Sequence, residues 1–494
     1  METHRHKIDI DCEDASEIFA RVYKNLGGVG NFLLESRDVS QVYGRLSLMG
    51  VDPALEVRGK NNDFSLTALN ERGREYLGCF EKGDFGMCDS VEFGEGKISG
   101  VIKKEEGEFE ESQRTKRKNI SNVIRVVIDK FKQSRKEFFG LYGAFAYDFV
   151  RLFEDIPELL EDEGVADFRL FLYDSFVFFD HLKEQAEVVV YRGSELEAHK
   201  AALDLDHLIK KGVDEASSYK ISDAKFDMNE EEYSLLVENA RDLALRGELF
   251  EVVYSNTLRA GFEGDAFALY RKYRDVNPSP YLFYFDFGDE QLVGASPEMM
   301  VRYESGIVNI RPISGTARRG KDPIEDHENM LALLSSEKER SELDMLIDLG
   351  RNDLARICEP GIKITDYRFV EKYSRVMHTV AHVSGHLKPE FRALDALIAC
   401  LNAGTLTGAP KVAAMIEIEK NEKSRRGYYG GTIGYLTFSG EMDTGIIIRT
   451  AHIRDGRLSL RVGATLLHDS DPKAEYIETL NKAEAFLHTF ANNI

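Results

Sequence analysis

Between residues 170 and 179 the chain reads Leu-Phe-Leu-Tyr-Asp-Ser-Phe-Val-Phe-Phe, with almost no polar alternation, which predicts a buried strand. The run Glu187-Val-Val-Val-Tyr191 predicts another. Upstream, short apolar segments such as 45–50 and 138–149 are separated by turns. From 195 to 211 the apolar spacing becomes helical, and 216–227 is polar, the best boundary in the chain. It divides an N-terminal part, 1–215, from a C-terminal part, 226–494. Past it, Asn229-Glu-Glu-Glu232 opens an amphipathic helix to about Leu245, with acids in the first turn where the helix dipole prefers them. The remainder alternates strands (281–287, 299–303, 307–310) with helices (337–349, 393–401, 411–420). Strands and helices mixed without a βαβ rhythm predict an α+β fold rather than a doubly wound sheet.

Composition narrows the function classes. The net charge of -22 disfavours nucleic acid and anionic membranes as partners. No apolar run approaches the ~18 residues of a membrane span. The first dozen residues are polar and acidic, unlike a signal or transit peptide. Five scattered cysteines, never in a Cys-x-x-Cys arrangement, argue for a reducing, cytoplasmic setting and against a thiolate metal site. The chain contains no tryptophan.

Two pairs of glutamates spaced three apart stand in helical stretches, Glu339 with Glu342 and Glu475 with Glu478. Positions i and i+3 share a helix face, so each pair is either solvated surface or half of an oxygen-rich cradle for a hard cation, most plausibly Mg2+. Four further segments concentrate chemistry. In Arg311-Pro-Ile-Ser-Gly-Thr316 a strand ends on Gly315-Thr316, either a plain turn or a close backbone approach to a ligand with a hydroxyl added. Gly404-Thr-Leu-Thr-Gly-Ala-Pro-Lys411 lacks the Walker spacing because Pro410 separates glycine from lysine; it predicts a turn into a helix N-terminus that, with Lys411, faces a carboxylate. Gly427-Tyr-Tyr-Gly-Gly-Thr-Ile-Gly-Tyr435 leads on to Arg449, which is a carboxylate clamp or a structural ion pair. His378, His382 and His386 suggest zinc, but the β-branched residues around them predict a strand, where four residues span roughly 13 Å and cannot share a metal. His378 is then a lone proton donor or acceptor, or a core histidine.

Together with Gly294-Ala-Ser-Pro-Glu298, Leu349-Gly-Arg-Asn-Asp-Leu-Ala-Arg356 and 469–478, these segments resemble the chorismate-utilising enzymes, most closely the anthranilate synthase large subunits, over essentially all of 230–490. The resemblance implies large mixed or antiparallel β-sheets packed as a sandwich with helices outside. It implies that 226–494 binds chorismate, aminates it with ammonia and eliminates pyruvate to give anthranilate, the first committed step of tryptophan biosynthesis. Glu342 and Glu478 would bind Mg2+, supported by Glu339 and Glu475. Gly315, Thr316, Tyr435, Arg449, Gly463, Ala464, Thr465 and Lys411 would contact chorismate, with His378 and Thr316 catalytic. Leu33-Leu-Glu-Ser36 and 44–50, with Asn277-Pro-Ser-Pro-Tyr281, match the family's tryptophan feedback pocket, which makes 1–215 regulatory. The implied effector contacts are Glu35, Ser36, Arg45, Asn277, Pro278, Pro280 and Tyr281. Family members that activate water carry a lysine where this chain has Glu251, and those that form a lysine adduct carry one where it has Ser314; direct amination is left. Gly463-Ala-Thr465 departs from the commoner Gly-Ala-Gly and, with Phe250-Glu251-Val252, is similar to enzymes fused to a glutaminase and to those that stop at 2-amino-2-deoxyisochorismate. No glutaminase signature occurs here, so a separate glutamine amidotransferase subunit is expected to supply ammonia.

Overall fold

The computed structural model describes residues 3–27, 29–37, 46–105, 107, 111–134, 138–212, 217–373 and 376–490. Two antiparallel sheets of twelve and thirteen strands carry the fold, as expected. In the first, Phe32–Glu35 lies between Leu46–Gly50 and Tyr281–Asp286, and the sheet continues through Glu290–Ser296, Thr450–Arg454, Arg457–Leu466 and Glu251–Gly264 to the edge strand Tyr219–Phe226. The second holds Ile313–Arg318, Val376–His386, Met442–Ile446, Thr432–Thr437, Gly140–Phe145 and Phe168–Tyr173, among others.

Side-chain alternation builds two cores from one sheet. Phe32, Leu48, Phe176, Phe283 and Phe285 point at the second sheet, where Leu55, Leu141, Tyr142 and Leu170 meet them. Their neighbours Leu33, Met49, Val177, Leu282 and Tyr284 point the other way, beneath the helices Ala15–Leu26, Glu195–Lys210, Ala266–Val276 and Pro472–Leu487. Strands covered on both faces are apolar throughout, which is why these segments show little alternation.

Two expectations need correction. The apolar run 170–179 is two strands, Phe168–Tyr173 and Ser175–Asp180, which belong to different sheets. The chain crosses at Asp174, whose fully buried carboxylate is held by Arg72 at 3.0 Å, Arg192 at 3.0 Å and the Tyr76 hydroxyl at 3.1 Å. The polar stretch 216–227 is largely a strand, Tyr219–Phe226, paired along Glu251–Gly264. It is polar because it is a solvated sheet edge. Both sheets draw strands from either side of that stretch, so the two parts of the chain share one pair of sheets.

The helices start where their caps are. Asn229 and Glu232 form a reciprocal capping box for Glu230–Leu245. Ser336 caps Glu337–Ala355, and Asp471 caps Pro472–Leu487. Glu337–Ala355 runs past the predicted 349 because Gly350 does not break it: a Cβ there would lie 2.2 Å from Ile310, so the glycine serves close packing. Among the described residues no helix is long and apolar enough to cross a membrane.

Candidate functional site

A cleft of about 720 Å³ is lined by strands of both sheets and by the helices Glu337–Ala355 and Pro472–Leu487. Helix Glu337–Ala355 delivers Glu339 and Glu342 to it, and helix Pro472–Leu487 delivers Glu475 and Glu478. All four carboxylates therefore share one cavity. Burial, then the neighbouring Glu339, raises the Glu342 carboxyl to about 7. Burial also raises Glu339 and Glu475, each further pushed by Glu478. Glu478 pairs with Lys482 at 2.8 Å, and Glu475 accepts from Ser470 at 2.8 Å. Among the described residues no three His, Cys, Asp or Glu side chains form a set that would hold a metal ion by themselves. Mutually repelling, partly protonated carboxylates in a shared cleft nevertheless suit a divalent cation that takes its remaining ligands from water and a bound carboxylate, as Mg2+ commonly does.

Beside Glu339 and Glu342, Thr316 and His378 face each other across paired strands. A bulge between Ser314 and Thr316 places Gly315 at φ +68°, and a Cβ on it would meet the Glu339 carboxylate at 2.6 Å. His378 is 5 % exposed, and burial followed by the Arg449 charge lowers its pKa to about 4. Its Nδ1 lies 2.9 Å from the Gly315 carbonyl and 3.0 Å from the Thr316 hydroxyl. A carbonyl only accepts, so Nδ1 carries the proton and Nε2 presents a lone pair. His378 is thus neutral at physiological pH.

Glu298, 7 % exposed, lines the cleft and accepts from the Thr405 hydroxyl at 3.0 Å; burial raises it to about 8, so it carries a proton at pH 7. Arg449, at φ +49°, also faces the cleft and has no carboxylate partner among the described residues. Its backbone carbonyl is held by the Tyr273 hydroxyl at 3.1 Å and the Ala295 amide at 3.2 Å. A strained backbone tied down on both sides holds the guanidinium at the cleft, where a bound carboxylate could pair with it.

Gly463 and Thr465 line the cleft, whereas Ala464 between them is fully buried on the strand's other face. Tyr435 is not among the lining residues: its ring packs on Tyr142 with centroids 5.4 Å apart. Tyr429 lines the cleft instead, and a Cβ on Gly463 would come within 2.8 Å of its hydroxyl. Lys411 is likewise removed, with Nζ 2.6 Å from Asp353 and 3.3 Å from the Cys400 carbonyl; it is a structural ion pair. The expectations for Ala464, Tyr435 and Lys411 are thus corrected. Tyr429, Thr405, Glu298 and Lys482 were missed, although the first three sit inside motifs that the sequence marks out.

The effector segments also meet. Glu35 pairs with Leu282, and the Arg37 amide donates to the Ser279 carbonyl at 3.1 Å. The Glu35 carboxylate, 4 % exposed, accepts from the Tyr270 hydroxyl at 2.5 Å and Arg274 at 2.7 Å. Ser36 follows it directly, with Pro278 and Pro280 in the facing segment, Tyr281 donating to Asp443 at 2.9 Å, and Asn277 reaching the cleft. Arg45 lies outside the described residues.

Burial of acids has a measurable cost. Glu251 and Glu298 keep their protons to about pH 8 in the folded chain, against 4.5 when exposed. Between pH 7 and 9 the folded state binds more protons than the unfolded one, so stability falls as pH rises. Chemical denaturation without divalent cations is expected to give a folding free energy about 2–3 kcal/mol smaller at pH 9 than at pH 7. A flat or rising profile would exclude the protonated acids.

Residues 90–488 match the family model of chorismate binding enzymes. The chain is 35% identical over 474 residues to anthranilate synthase component 1 of Acetivibrio thermocellus, covering 92% of this chain and 89% of that one. It is 41% identical over 363 residues to the component 1 protein of Neisseria meningitidis serogroup B, covering 71% and 74%. The crystal structure of anthranilate synthase component I from Streptococcus pneumoniae superposes with a TM-score of 0.72 at 31% identity, covering 91% and 93%. The menaquinone-specific isochorismate synthase of Escherichia coli shares the fold, with a TM-score of 0.68 at 16% identity and coverage of 99% and 95%. With the family model matched over most of its length and relatives this similar along nearly the whole chain, the protein belongs to the chorismate binding enzymes, in the branch represented by the anthranilate synthase component 1 proteins.

Proposed function

We propose that the protein is the chorismate-using subunit of an anthranilate synthase, aminating chorismate with ammonia and eliminating pyruvate. The observation that carries this reading is that one cleft holds a protonated acid, Glu298, a neutral imidazole, His378, and the glutamate cluster. Chorismate is a cyclohexadiene with a ring carboxylate, a ring hydroxyl and an enolpyruvyl ether. Arg449 clamps one carboxylate, while backbone groups at Gly315 and Gly463 allow the ring to approach closely. Glu342 and Glu478, with Glu339 and Glu475 beside them, would hold Mg2+, which draws electron density from the ring carboxylate. Glu298 protonates the departing hydroxyl, which leaves as water, as ammonia adds to the ring and the new ammonium gives one proton to solvent. His378 Nε2 then removes the ring hydrogen beside the amine as the ring–ether bond breaks, and the released enolpyruvate takes a proton on its methylene carbon to become pyruvate.

The test is incubation of the protein with chorismate, ammonium and Mg2+. A fluorescent aromatic product with equimolar pyruvate supports the reading. A non-aromatic amino acid without pyruvate would make the protein a 2-amino-2-deoxyisochorismate synthase instead, and no consumption of chorismate would exclude both. The component 1 relatives support a second component, a glutamine amidotransferase, as the ammonia source. The meeting of the 33–36 and 277–281 segments supports tryptophan as a feedback inhibitor bound there. Ser36→Leu is expected to raise the tryptophan inhibition constant at least tenfold with unchanged uninhibited turnover. An unchanged constant would place the effector elsewhere.

A further inference from the structure

The backbone of Arg449 is held by groups that lead away from the cleft. Glu35 stands beside Leu282, Leu282 beside Ala295, and Gly294 beside Thr450, so the 33–36 and 277–281 segments and Arg449 lie on successive strands of one sheet. Arg449 directly precedes the last of these strands, in the left-handed region at φ +49°. That conformation costs a residue with a side chain free energy and lasts only while its neighbours hold it. Here the holders are the Tyr273 hydroxyl and the Ala295 amide, both donating to the Arg449 carbonyl.

Both donors are tied in turn to 277–281. The Asn277 side-chain amide donates to the Tyr273 hydroxyl at 3.3 Å, and the Asn277 backbone amide donates to the Tyr273 carbonyl at 2.9 Å. The Ser279 hydroxyl lies 3.2 Å from the Asn277 carbonyl and 3.2 Å from the Ala295 carbonyl. Tyr273 is 1 % exposed, and its ring stands edge-on to Phe486 with centroids 5.1 Å apart. A packed ring thus carries one hydroxyl that accepts from the effector segment and donates to the backbone of Arg449. A shift of the first is passed to the second.

We propose that Tyr273 is a positioning residue that couples the 277–281 segment to Arg449. This rests on the effector reading above and adds the route from that pocket to the cleft, which that reading leaves unassigned. With Asn277 and Ser279 in place, Tyr273 and Ala295 hold the Arg449 carbonyl and the guanidinium meets the substrate carboxylate. An aromatic amino acid seated between 33–36 and 277–281 displaces Asn277 and Ser279 and draws the two donors off. Arg449 then relaxes out of the left-handed region and its guanidinium leaves the carboxylate. Linkage requires bound chorismate to weaken the effector by the same factor.

The test is calorimetric titration of the full chain with chorismate and Mg2+, without ammonium, in the absence and presence of saturating tryptophan. In the wild type, tryptophan is expected to weaken chorismate by about tenfold or more. Tyr273→Phe keeps the ring and removes the hydroxyl. In it, chorismate alone is expected to bind about three- to tenfold more weakly, the size of one lost hydrogen bond. Tryptophan is then expected to weaken chorismate by less than about twofold, while its own dissociation constant, measured without chorismate, stays within about threefold. A merely structural role would leave the coupling intact, and a residue of the effector pocket would lose tryptophan itself. Ser279→Ala breaks the second link and is expected to reduce the coupling at least threefold; it carries the test should Tyr273→Phe fail to fold. Coupling retained in the variant that carries the test, or tryptophan binding lost in Tyr273→Phe, would overturn the assignment. So would a wild type that binds tryptophan without weakening chorismate. A wild type that binds no tryptophan would remove the effector reading and the coupling with it, a result distinct from any seen in a variant.

Discussion

Glu478→Gln and Glu342→Gln are each expected to cut Mg2+-dependent turnover by about 10³-fold, since a metal ion at a substrate carboxylate contributes several kcal/mol to the transition state. The two variants should differ in stability. Glu342 is buried and raised to about 7 with Glu339 beside it, so replacing it by a neutral amide relieves repulsion and raises the Tm of the metal-free protein. Glu478 is half-exposed and paired with Lys482, so its loss removes one partly solvated ion pair and moves the Tm little. Calorimetric titration with MgCl2 and chorismate together should lose its Mg2+ dependence in both. Because the four glutamates do not by themselves form a ligand set, the wild type should bind Mg2+ much more tightly with chorismate present than without it. Full activity in either variant would remove these glutamates from metal binding.

Much of this site was legible because its parts are local. A glutamate pair at i,i+3 behind a Ser or Asp cap projects from one helix face whatever the rest of the chain does, and both pairs reach the cleft. The β-branched run around His378 likewise settles a strand, and with it the exclusion of a three-histidine metal site. What failed depends on partners distant in sequence. Lys411 follows a glycine-rich turn in a way that suits a ligand, yet Asp353 claims it. Tyr429 and Tyr435 lie in one motif, yet Tyr429 lines the cleft while Tyr435, in the strand Thr432–Thr437, packs its ring on the distant Tyr142. The run 170–179 carries no mark of its sheet change except Asp174, whose role depends on Arg72 and Arg192. The protonation states of His378 and Glu298 follow from burial, which no local spacing encodes.

His378→Ala is expected to separate the two halves of the reaction. With Glu298, Arg449 and the glutamates untouched, chorismate should still be consumed with ammonium, and a non-aromatic amino acid should accumulate. Anthranilate and pyruvate formation should fall by about 10²–10⁴-fold, the usual contribution of a positioned base. The geometry predicts this asymmetry. Nδ1–H is fixed on the Gly315 carbonyl, Tyr373 stands edge-on to the ring with centroids 5.5 Å apart, and Nε2 alone is left to meet substrate. Because burial and Arg449 hold the imidazole neutral down to about pH 4, the wild-type elimination step should show no inflection near pH 6.5, where an ordinary histidine would titrate. The KM for chorismate should stay within a few-fold, since the carboxylate clamp is Arg449. Two results would refute the role: aromatic product formed at the wild-type rate, or chorismate consumption and aromatic product falling together by the same factor. The second would mean that His378 shapes the pocket rather than moving the ring proton.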